Sequence, residues 1–288
     1  MLQKISKIIY NLVFYLNFIV EKIFKKNFLS WFNNFLVNDS YKLIKMNNID
    51  VKFFCPNPLL ISRIENFFID EPETIEWINK FDNKKKIEFW DIGANIGQYS
   101  IYAAIMKKNI SITSFEPSVN NLQVLARNIY INSLFEKIKI FQLPLSDKQN
   151  VFMNMMEEEF LQGAAMNTFG YNLNFEGKNK NYQNMYKIFG TNINFLITNK
   201  LVSIPNYIKI DVDGIEHKIL EGAELVLKGK ELKSILIEIN DEYEDQLNTI
   251  TNLLTKNGFK FIWKKQVKDL VINTKFKGTF NYLFNKEK

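Results

Sequence analysis

The stretch Phe89-Trp90-Asp91-Ile92-Gly93-Ala94-Asn95-Ile96-Gly97-Gln98-Tyr99-Ser100 decides how this chain is read. A short apolar run (Ile87, Phe89, Trp90) ends at Asp91. A glycine-rich turn follows, and Ile101, Ala104 and Ile105 then recur at helical spacing. A strand that feeds a tight glycine turn and a helix opens a nucleotide-binding βαβ unit.

The nucleotide is the next question. The dinucleotide fingerprint G-x-G-x-x-G, started at Gly93, needs glycines at 95 and 98, where this chain has Asn95 and Gln98. A pyrophosphate beside Asp91 would also be repelled. S-adenosylmethionine fits better. An acidic turn attracts its sulfonium and ammonium, and the free N–H groups at the helix start can hold its one carboxylate. Asn95 suits the turn because Asn is among the few residues that visit positive φ.

Outward from this turn the chain alternates. Ser111–Phe115 predicts a second strand ending at Glu116-Pro117, and Ile138–Leu143 a third, ending at Leu145-Ser146-Asp147. Tyr207–Ile210 predicts a fourth, ending at Asp211-Val212-Asp213-Gly214, and Ile235–Ile239 a fifth carrying Glu238. Helical faces separate them (Val119 to Ile129, Ile219 to Leu227, Leu247 to Leu254). Phe259–Trp263 and Thr279–Phe284 predict a closing antiparallel pair. Strands joined by long helical crossovers predict a mostly parallel, doubly wound α/β sheet. Residues 148–200 break the rhythm and read as an insertion with short strands at Val151–Met156 and Asn192–Ile197. Upstream, Pro72 suits the first turn of a helix capped by Asp70 or Glu71.

In such sheets ligands bind at the carboxyl ends of the strands. Glu116 lies 116 − 97 = 19 residues after Gly97, where an acid can take both ribose hydroxyls. Ser146 and Asp147 can hydrogen-bond an adenine edge, or simply form a turn. Transfer to a hydroxyl needs placement of the acceptor and a base near its proton. Asp211, Glu216 and His217, the only histidine, are the candidates. Glu216 and His217 also fit the polar side of an amphipathic helix. Asp211, Asp213 and Glu238 offer oxygen ligands to a divalent ion, but strand-end acids recur without metals, so no metal is expected.

Composition bounds the rest. The 288 residues carry a net charge of +6 and one cysteine, Cys55, which excludes an internal disulfide and points to the cytoplasm. Asn, Lys, Ile and Phe are abundant, as AT-rich coding produces, so the basic balance reads first as surface. Residues 1–66 are expected to form a helical extension, with residues 67–288 as the catalytic domain. Within the extension, Ile8–Val20 is mostly apolar, with Lys4, Lys7, Lys22, Lys25 and Lys26 around it. It is too short to span a bilayer. It predicts an amphipathic helix that packs on protein or lies on the inner membrane surface as a peripheral contact.

Several motifs in order resemble one family: DIGANIGQYS, SFEPSVNNLQVLARNIYIN, LPLSDK, GAAMNTFG, YIKIDVDGIEHKILEGA and ILIEIN, with EPETIEW just upstream. Together they resemble the FkbM-type S-adenosylmethionine-dependent methyltransferases from about Glu71 to Lys260. The resemblance implies a seven-stranded class I methyltransferase fold, S-adenosyl-L-methionine as cofactor, and O-methylation of a sugar, a glycan or a related small molecule. By motif position it places Asp91, Gly93, Ala94, Asn95 and Gly97 on the methionine part, Glu116 on the ribose and Ser146 near adenine. It raises Asp211, Glu216 and His217 on the acceptor side. Members often carry a Leu-Asp pair where this chain has Ile197-Thr198-Asn199. Two other readings compete. One is an RNA-directed methyltransferase, disfavoured because no Asn/Asp-Pro-Pro-aromatic motif follows the fourth strand, so no nucleic-acid partner is expected. The other is a non-catalytic cofactor-binding scaffold.

Overall fold

The computed structural model describes residues 1–182, 184–266 and 276–287. Two helices come first, α1 (Leu2–Phe24) and α2 (Leu29–Asp39). A hairpin follows, β1 (Tyr41–Met46) and β2 (Ile49–Phe54), then α3 (Pro58–Glu65), α4 (Phe67–Asp70) and α5 (Pro72–Asn79). The nucleotide-binding half contains β3 (Ile87–Ile92), α6 (Gln98–Met106), β4 (Ile110–Phe115), α7 (Val119–Ile131) and β5 (Ile138–Phe141). The insertion supplies β6 (Val151–Glu157), β7 (Thr168–Phe169), β8 (Asn184–Gly190) and α8 (Ile193–Thr198). The second half runs β9 (Tyr207–Ile210), α9 (Glu216–Glu221), α10 (Glu224–Lys228), β10 (Ser234–Asn240), α11 (Glu244–Lys256), β11 (Phe259–Lys265) and β12 (Thr279–Lys286).

Seven strands form one sheet in the order β11-β12-β10-β9-β3-β4-β5. The pairs β10–β9, β9–β3, β3–β4 and β4–β5 are parallel, while β12 runs antiparallel to both β10 and β11. This is the class I methyltransferase arrangement, with the expected closing pair. The strand order reverses between β3 and β9, and that switch point is where such sheets open a crevice. One face is covered by a core that includes Phe89, Ile112, Ile101, Val124 and Leu125. The other is covered by a core of Ile208, Ile210, Ile237, Leu220 and Leu254. The central strands β3, β4 and β9 are therefore almost wholly buried, as parallel strands covered on both faces must be.

Three expectations change. The helical reading of residues 1–66 holds to Asp39, but Tyr41–Phe54 is a two-stranded hairpin turned at Asn47 (φ 49°) and Asn48 (φ 63°). Met46, Val51, Phe53, Leu60 and Ile64 join the same core as Phe89 and Ile112, so a domain boundary at residue 66 would cut through it. Asn192–Ile197 is not a strand. The Asn192 side chain accepts a hydrogen bond from the Phe195 amide and starts α8, which leaves the pairing with β6 to Asn184–Gly190. Finally, the third strand stops at Phe141, two residues short of the sequence reading.

Candidate active site

The turn after β3 is built by close approach. Gly93 (φ 83°), Asn95 (φ 49°) and Gly97 (φ 85°) all occupy the left-handed region. A Cβ on Gly93 would lie 1.8 Å from the Asp211 carbonyl oxygen, so only glycine lets β3 and β9 end side by side. The Gly93 and Ala94 amides donate to the Phe115 carbonyl, which fixes the turn against β4.

Glu116 ends β4 and is buried. Its Oε2 accepts from the Asn95 amide and its Oε1 from the Ser118 amide, both at 2.8 Å. Burial pushes its pKa up to about 8 against these two donors. Asp91 points under α6 instead. Its Oδ2 accepts from the Ser100 hydroxyl at 2.5 Å, and burial raises its pKa while Lys209 pulls it back.

The insertion roofs this turn. The Ala164 carbonyl accepts from the side-chain amides of Asn95 and Asn121, and the Gly163 amide donates to Asn121 Oδ1. The Met166 amide donates to Asp213 Oδ2 at 2.7 Å. A cavity of about 60 Å³ remains beneath, bordered by Gly93, Asn95, Glu116, Asn167, Asp211 and Asp213. A second of about 40 Å³ adjoins it, with Phe115, Pro117, Leu143, Leu145, Met155 and Phe169 as an apolar slot. Two buried carbonyl oxygens on these cavities, Oδ1 of Asn95 and of Asn167, have no hydrogen-bond partner. Unpaired acceptors beside a carboxylate and an apolar slot suit a ligand with an ammonium, ribose hydroxyls and a flat base.

The acceptor-side candidates divide. Asp211 and Asp213 border the cavity, and their oxygens and those of Glu238 lie within 4.8 Å of one another. Burial pushes Asp213 up to about 6, with Asp211 adding to the rise. Burial, then Asp211 and Asp213, hold Glu238 well above the usual carboxylate range. Lys209, which the sequence reading missed, neutralises part of this charge. It is buried, lies 2.6 Å from Asp211 Oδ2 and 3.8 Å from Glu71 Oε2, and sits over the Tyr99 ring. Burial pulls its pKa down, but Asp211 and Glu71 more than compensate and hold the ammonium charged.

Glu216 and His217 are elsewhere. Glu216 accepts from the amides of Val212 and Gly214 and from Gln246 Nε2, so it clamps the loop that carries Asp211 and Asp213. His217 is buried edge-on to Tyr243, with no partner at Nδ1, and lines neither cavity. Ser146 and Asp147 also leave the site. Because β5 ends early, Leu143-Pro144-Leu145 run along the slot. Ser146 is fully buried, and Asp147 accepts from the Tyr171 hydroxyl and pairs with Lys148. Thr198 ends α8 and borders neither cavity.

Residues 91–261, more than half of the chain, match the methyltransferase FkbM domain family.

The chain belongs to the FkbM methyltransferase family.

Family membership makes the domain an S-adenosylmethionine-dependent methyltransferase domain. Among solved structures, an FkbM methyltransferase from Methylobacillus flagellatus is 16% identical, with a TM-score of 0.46. The alignment covers 69% of this chain but only 43% of that one, so this FkbM chain spans less than half of that protein's length. Precorrin-6y C5,15-methyltransferase from Geobacter metallireducens is 13% identical over 75% of this chain and 87% of that one, with a TM-score of 0.42. The M. jannaschii TYW2 structure in complex with AdoMet is 14% identical over 86% and 88%, with a TM-score of 0.43. No curated protein matches the chain.

Proposed function

We propose that this FkbM methyltransferase methylates a hydroxyl of a sugar, a glycan or a related small metabolite. The observation that carries this reading is the acidic cleft on the acceptor side. Beyond Glu238, which also belongs to the Asp211–Asp213 group, a cavity of about 270 Å³ is lined by Glu71, Glu73, Gln266, Thr279 and Phe280, among others. Carboxylates and amides accept hydrogen bonds from hydroxyls, and an aromatic ring suits the C–H face of a sugar. We assign no nucleic-acid partner, since the one lysine among the cleft's described lining residues, Lys265, is already paired with Glu76.

S-adenosylmethionine supplies an electrophilic methyl group when bound. In our reading Gly93, Ala94, Asn95 and Gly97 shape the turn that receives it, and Glu116 takes the ribose hydroxyls. Asp211 accepts the proton of the acceptor hydroxyl and is oriented by Lys209. Asp213 and Glu238 set the local charge, and Glu216 positions the loop without touching substrate. The single cysteine is the support for a cytoplasmic location.

The test is turnover of labelled S-adenosylmethionine against two panels, one of glycans and nucleotide-sugars and one of transfer and ribosomal RNA. Methylation confined to the first panel supports the reading. Methylation of RNA alone overturns the substrate class. Cofactor binding without turnover on either panel would favour the scaffold.

A further inference from the structure

Apart from Val37 of α2, which packs on the core, the helices α1 and α2 stand clear of it. Along α1 only Asn17 is buried, and its Oδ1 accepts from the amides of Phe28 (2.9 Å) and Leu29 (3.0 Å). That contact pins the turn and folds α2 back along α1. Between them runs an open apolar groove of about 560 Å³, bordered by Ile9, Val13, Leu29, Phe32 and Leu36.

Exposed apolar side chains run most of the way round α1, Phe14, Tyr15 and Phe18 among them, and one aliphatic row stands out. Ile5, Ile9, Leu12, Leu16, Ile19 and Ile23 repeat at alternating steps of four and three residues, so they share one side of the helix. They are between 37% and 66% exposed. Lys4, Lys7, Asn11 and Lys22 fall at steps of three, seven and eighteen residues from Lys4, on a flank roughly a third of a turn from that row. Lys25 and Lys26 follow at the helix end, and Glu21 is the only acid among residues 1–28. The apolar surface continues onto α2 through Trp31 and Phe35, both more than 60% exposed. A surface this large marks a contact.

We propose that α1 and α2 together seat the protein on an anionic lipid bilayer. The aliphatic side enters the acyl boundary, and Lys4, Lys7, Lys22, Lys25 and Lys26 meet the headgroups. Charge selects this occupant, since five lysines against two acids, Glu21 and Asp39, complement an anionic surface. Breadth selects it as well. A second copy of α1 would cover the single aliphatic stripe and leave Trp31 and Phe35 in water, whereas a bilayer accepts all of them. The pair lies along the surface. Among the described residues no helix is long and apolar enough to cross a membrane.

The test is flotation of the full chain with vesicles of phosphatidylcholine alone and of phosphatidylcholine mixed with phosphatidylglycerol. The expected result is binding to the mixed vesicles, roughly tenfold weaker without phosphatidylglycerol or at high salt. The double variant Leu12→Glu/Leu16→Glu loses binding while its affinity for S-adenosylmethionine stays that of the parent, which shows that the fold is intact. Absence of binding to mixed vesicles overturns the proposal. So does a dimer in light scattering that the same double variant dissociates, because the face then belongs to a second copy.

Discussion

Asp211 and Gly93 meet through their backbones. The Asp211 amide donates to the Ile92 carbonyl at 3.0 Å, and the Asp211 carbonyl occupies the space that a side chain on residue 93 would need. The donor-side turn and the acceptor-side loop are thus one contact. Gly93→Ala combines that clash with a φ of 83° and should destabilise the protein by about 3 kcal/mol or more. A melting temperature within a degree or two of the parent would show that the two loops are free to part.

Glu116→Ala should abolish S-adenosylmethionine binding in calorimetry and leave the Asn95 and Ser118 amides without their shared acceptor. Glu116→Gln keeps the shape and should retain weak binding. Parental affinity in the alanine variant would remove the ribose role.

Asp211→Asn should lower kcat by about a hundredfold or more while sparing cofactor affinity. His217→Ala should stay within about threefold of the parent, since His217 faces Tyr243 and not the cleft. Rising kcat/KM between pH 5 and 7 should report Asp213, which burial pushes up to about 6. A His217 variant as damaged as the Asp211 variant would reverse these assignments.

Lys209→Met leaves Asp211 and Glu71 without their shared cation. The loss should be about 3–5 kcal/mol of stability, read from urea denaturation. A neutral result would show that the ion pairs of Lys209 contribute no net stability.

Burial also gives stability a pH dependence. Glu116 and Glu216 have pKa values raised by burial to about 8 and about 7 from 4.5. A raised acid binds more protons folded than unfolded, so its contribution is whole below pH 4.5 and is lost as pH rises through 7 to 8. Melting temperature should therefore fall across that window, and Glu116→Gln should flatten the upper part. A curve that rises there would contradict the buried state of both groups.

The sheet was legible because its strands end in marked residues. Asp91, Glu116 and Asp211 each sit where an apolar run gives way to an acid, and the turn at 93–97 needs the two glycines and the asparagine it has. Lys209 was not legible. Within an apolar strand a lysine reads as an interruption, and only the convergence of Glu71 and Asp211 from distant positions gives it partners. Helical periodicity places Glu216 and His217 on one face but does not say what that face meets, here Gln246 and Tyr243. Ser146 and Asp147 follow a strand two residues shorter than expected and do not line the slot. The hairpin at 41–54 was hidden by its Asn-Asn turn, a weaker signal than Asn-Gly.

The Pro144 carbonyl accepts from the Thr191 amide, and the Ser146 amide donates to the Thr191 carbonyl, so the two ends of the inserted segment meet beside the sheet. The stretch between them leaves and rejoins the scaffold at a single place. Its length and sequence can therefore change without displacing any neighbouring strand. Its outer turns are free to diverge, whereas residues 163–169 are held in place by the donor turn that they roof.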